Sequence, residues 1–80
     1  MNQSKVKEII SKNFVGSYSK DKVNAVARAA SKFINTYRDG DKWQSVYSPL
    51  DMIDACLQMY SVEKDLSTYL ERNKQIWIKK

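Results

Sequence analysis

Catalysis needs side chains that attack or exchange protons near neutral pH, and this 80-residue chain offers few of them. It contains no histidine and one cysteine, Cys56. The absence of histidine removes the commonest general base, the usual triad member and the commonest metal ligand. Cys56 has no imidazole to activate it and falls between apolar helical positions, so it reads as a small buried hydrophobe. A zinc site needs about four thiolate or imidazole ligands, and one thiol does not supply them. Two pairs of carboxylates are close in sequence, Asp51 with Asp54 and Asp39 with Asp41. Helix capping and turn formation account for both pairs without chemistry. The glycines, Gly16 and Gly40, are isolated, which excludes a Gly-rich phosphate loop. No catalytic residue, cofactor or metal site is expected. The composition points to a protein that binds rather than an enzyme.

Charge is the strongest asymmetry. The net charge is +5, yet residues 1–38 carry +6, residues 39–71 carry −5 and residues 72–80 carry +4. A solvated surface with helices of opposite sign packed together explains such runs. A positive surface for phosphates explains them as well. In that reading Arg28 and Lys32, one helical turn apart, are flanked by Asn24, Ser31 and Asn35, and the tail adds Lys79 and Lys80. Long cations beside short hydrogen-bonding groups are the mixture that phosphate and base contacts use. Large aromatics are the other candidates for a binding surface. Trp43, Tyr47 and Trp77 stand near breaks or ends of the periodic segments, where they either anchor a protein partner or close the core.

The elements that position these residues are helical. Apolar residues make up 42% of the chain, enough for a folded core, while two glycines and one proline leave few breaks. A first helix is expected over about 5–14, capped by Ser4, with Val6, Ile9, Ile10 and Phe14 on one stripe and Gly16 in the turn beyond. A second, over about 20–38, carries Val23, Val26, Ala27, Ala30, Ile34 and Tyr37, widened by Ala25, Ala29 and Phe33. That breadth predicts a central helix touched from two sides. Asp39-Gly40-Asp41 is turn chemistry, and 42–47 reads as a helical turn or an extended connector. Ser48-Pro49-Leu50-Asp51 has an N-cap, a proline at the first helical position and an acid at the third, and so opens a third helix over about 49–60. Its stripe is Leu50, Ile53, Leu57 and Tyr60, with Met52, Cys56 and Met59 adjoining. A fourth is expected over about 62–74, with Val62, Leu66, Tyr69, Leu70 and Trp77 in phase, and the tail 75–80 either continues it or runs extended.

The predicted architecture is therefore all-α, one compact three- to four-helix bundle spanning residues 1–80. No apolar run approaches the ~20 residues of a membrane span, and the N-terminus has no signal-peptide core. A lone cysteine suits a reducing, cytoplasmic interior. The first two helices superficially fit a helix-turn-helix, but the second is long for a recognition helix and Lys12 stands where close packing wants a small residue.

The stretch from Val23 to Ser67, a long helix, an aromatic-bearing connector, then Ser48-Pro49-Leu50-Asp51-Met52-Ile53-Asp54-Ala55-Cys56, resembles the N-terminal helical region of phage RecT-type single-strand annealing proteins. The likeness covers about half the chain and lacks that family's Gly-containing segment, so no functional residue is carried over. It implies a phage-like origin and a nucleic-acid or recombination setting. The expected function is that of a small phage- or plasmid-like regulatory protein docking on a larger protein partner through its exposed aromatics and the acidic middle segment. The alternative is a nucleic-acid-binding accessory protein. Homodimerisation is a further expectation, since two helices are apolar over more than half their circumference.

Overall fold

The computed structural model describes residues 2–14, 16–37 and 48–78. They form α1 (Gln3–Asn13), α2 (Lys20–Tyr37), α3 (Pro49–Met59), α4 (Leu66–Arg72) and α5 (Lys74–Trp77), with no strand among the described residues. The Cα radius of gyration is 11.7 Å, against about 11.6 Å for a compact globule of this length. The all-α bundle is thus observed, its last helix being a single turn.

The start of α1 lies two residues before the expected one. Asn2 is the N-cap, its side chain accepting from the Lys5 amide at 2.8 Å, so Ser4 sits inside the first turn rather than capping it. Asparagine is as good a cap as serine. Val6 and Ile10 are fully inside, and Ile9 and Phe14 pack against them. Phe14 closes α1 in an extended conformation. Gly16 then takes φ 146°, a conformation L side chains rarely adopt, with the Tyr18 ring 3.5 Å from where a Cβ would stand.

Helix α2 is the hub, packing against α1, α3 and α4. Val26, Ala27, Ala29, Ala30, Phe33 and Ile34 are buried, and the alanines let neighbouring backbones come close. Ser31, expected beside the cations on the outer face, is buried as well. Its hydroxyl donates to the Arg28 carbonyl at 3.3 Å, which satisfies the polar group inside the helix and makes its burial cheap. The two-sided burial expected of α2 is met within the chain, so its apolar breadth no longer argues for a dimer.

Helix α3 begins with the predicted capping box. The Asp51 amide donates to Ser48 Oγ at 3.3 Å and the Ser48 amide donates to Asp51 Oδ2 at 2.8 Å. Met52, Ile53, Cys56 and Leu57 face inward. Centring the core on these four turns Leu50 to the edge, 38% exposed, instead of inward.

The expected start of the next helix is corrected. The Val62 and Glu63 amides both donate to the Met59 carbonyl, a turn that leaves Val62 79% exposed. Asp65 then caps α4, accepting from the Thr68 amide at 3.2 Å and its hydroxyl at 2.7 Å. At Asn73 the helix breaks, because the Asn73 side-chain amide donates to the Tyr69 carbonyl at 2.9 Å and competes with the backbone ladder. The chain re-enters one helical turn, α5, and is extended at Ile78. The 79–80 end of the tail and the connector 38–47 lie outside the described residues.

Candidate functional site

The surface presents two faces built on neighbouring helices. The first is the outer strip of α2. Lys20, Asn24, Arg28 and Lys32 succeed one another at intervals of four, and Asn35 lies seven residues after Arg28, so all five share one side. All are exposed. Among the described residues no ion pair involves Arg28 or Lys32. Other cations are engaged: Lys12 Nζ lies 2.9 Å from Glu8 Oε1, whose carboxyl is held below its ordinary range mainly by that hydrogen bond. Lys22 sits over the Tyr18 ring at 5.1 Å, and Arg72 pairs with Glu63 at 3.3 Å. Towards α4, Lys32 borders a narrow groove with Phe33, Thr36, Ser67 and Glu71. Glu71 accepts the Tyr37 hydroxyl, its two oxygens 2.9 and 2.7 Å away, and this hydrogen bond above all raises the Tyr37 pKa.

The second face is the outside of α3. Asp51, Asp54, Ala55 and Gln58 line a groove whose other wall is Tyr69, Ile76 and Trp77. Leu50, one turn before Asp54, continues the same side. No cation lies on α3. Asp51 is held by the Ser48 amide and hydroxyl, and Asp54 Oδ1 accepts from Gln58 Nε2 at 3.1 Å. These bonds fix both carboxylates without neutralising them. Ile76 is 42% exposed and Leu50 38%, and among the described residues neither Asp51 nor Asp54 makes an ion pair.

The structure brings the expected Asn24, Arg28, Lys32 and Asn35 onto one face. Of the two roles open to Trp77, partner anchor or core closer, the structure gives the second: it is 5% exposed and belongs to the core, so it is corrected as a partner-binding residue. It falls seven residues after Leu70, joins the same core and lines the groove with Tyr69 and Ile76. Trp43, Tyr47, Lys79 and Lys80 lie outside the described residues. Sequence reasoning pointed to the acidic middle segment as a whole without singling out Leu50, Asp54, Ala55 or Ile76. The recurrence of Leu50, Asp54 and Gln58 at intervals of four was the available signal.

The thiol of Cys56, at the centre of the core, is pushed up to about 12 by burial and is a poor nucleophile. Among the described residues no three histidine, cysteine or acidic side chains converge as a metal site, and no helix is long and apolar enough to cross a membrane. Compared with known proteins, the chain matches no family model, no curated protein and no solved structure.

Proposed function

We propose that the protein is a non-enzymatic regulatory module that docks on a larger protein, receiving a basic, apolar-faced segment of it in the groove between α3 and α5. The carrying observation is the juxtaposition of exposed Leu50 and Ile76 with Asp51 and Asp54, which no described cation compensates. Apolar contact supplies affinity in such a groove, and the carboxylates select partner charge and orientation. The inert Cys56 and the lack of histidine support the non-enzymatic reading. The likeness of 23–67 to RecT-type proteins is the reason to seek the partner among phage or plasmid recombination proteins.

A direct test titrates the full chain with a labelled amphipathic Leu/Lys helical peptide and with a scrambled peptide of equal composition. The amphipathic peptide is expected to bind at least about tenfold tighter, a difference of ~1.4 kcal/mol, and to lose that margin in Asp54→Asn/Ile76→Ser. Equal binding of the two peptides contradicts the proposal. Concentration-dependent self-association abolished by the same variant would assign the groove to a second copy instead, and equally overturns a foreign partner.

A further inference from the structure

We infer that the outer strip of α2 is a second, independent site, and that its ligand is the phosphate backbone of nucleic acid, bound without regard to sequence. The strip places cationic or amide-bearing side chains one turn apart at Lys20, Asn24, Arg28 and Lys32, a rise of about 6 Å per step. Arg28 and Lys32 have no acidic partner among the described residues. Asn24 and Asn35 add the short hydrogen-bonding groups that contact phosphate oxygens.

The surrounding charge supports the same ligand. Described residues within 2–37 carry seven basic and two acidic side chains, whereas 48–72 carry two basic and five acidic. A polyanion is therefore attracted to the α1–α2 half and repelled from the α3–α4 half, which fixes how it approaches. Packing decides the mode. A recognition helix must enter a major groove about 12 Å wide, but α2 is flanked by α1 and α4 and backed by α3. Only a strip of it faces outward, so it meets the backbone rather than base edges. The molecule then has two faces for two ligands, and failure of either leaves the other standing.

The experiment is a fluorescence-anisotropy titration of labelled single- and double-stranded oligonucleotides of two unrelated sequences, at about 50 and 200 mM salt. Two to four phosphates, each lowering log affinity by about 0.7–0.9 per decade of salt, give a loss of roughly 7- to 150-fold between those conditions. Arg28→Ala/Lys32→Ala is expected to weaken binding at low salt by at least tenfold and to reduce the salt slope by about 1.4–1.8. Asp54→Asn/Ile76→Ser, on the other face, should bind as the parent does. Circular dichroism establishes that each variant is folded. No binding at low salt, an unchanged slope in the Arg28/Lys32 variant, or a strong preference for one sequence would overturn the inference.

Discussion

The outer faces of α2 and α3 rest on the same core and differ in what their charges do. Arg28 and Lys32 make no ion pair among the described residues. Asp51 closes the capping box and Asp54 is tied to Gln58. Negative charge on α3 therefore serves the fold as well as the surface, while Arg28 and Lys32 on α2 take no part in an ion pair among the described residues. Substitutions on the two faces should separate accordingly: on α3 they touch stability and binding together, on α2 binding alone.

The largest effect comes from removing what the faces share. Met52 is fully buried, and Met52→Ala is expected to cost about 2–5 kcal/mol, seen as a lower urea midpoint and the loss of both binding activities. A variant that loses one activity and keeps the other would show that the faces do not depend on a common core. Next comes the cap of α3. Ser48→Ala removes the acceptor of the Asp51 amide and is expected to cost about 1 kcal/mol, while Arg28→Ala/Lys32→Ala should stay within about 0.5 kcal/mol of the parent. Thermal denaturation of the two variants side by side checks the contrast. Equal losses would erase the distinction between a structural and a free face.

A smaller effect is expected from pH. The Asp65 carboxyl is held below its ordinary range, first by the Thr68 hydroxyl and then by the Thr68 amide. Its contribution is present above the usual carboxylate pKa of about 4 and is lost as pH falls through the lowered native value. Asp65→Asn keeps a capping side chain but has no charge to lose, so its thermal midpoint should fall less on acidification. A parallel decline in both proteins would remove Asp65 from the account. The core itself is checked by Cys56, whose thiol should resist alkylation at pH 8 until the chain unfolds. Rapid labelling of the native protein would mean that the centre of α3 is open.

Much of this architecture was legible in the sequence because it depends on local signals. The period of α2 and the Ser48-Pro49-Leu50-Asp51 cap specify elements without reference to the rest of the chain. The errors arose where neighbours decide. Val62 is in helical phase with Leu66 and Leu70, but the Met59 carbonyl captures two amides in a turn and Asp65 supplies a better cap. Ser31 lies amid polar residues on a helical projection and is nevertheless covered. Leu50, read as part of the inward stripe, is turned to the edge because the core is centred on Met52, Ile53, Cys56 and Leu57. The charge segregation was visible at once. That it becomes two faces follows from α2 and α3 packing through their apolar sides.

The central claim is that these faces bind separately, and the most direct measurement is a two-dimensional amide NMR titration of the labelled chain with a short duplex oligonucleotide. Shifts confined to Lys20, Asn24, Arg28, Lys32 and Asn35, with Asp54, Gln58 and Ile76 unmoved, are the predicted result. Shifts centred on α3 and α5, or spread evenly over both faces, would contradict it.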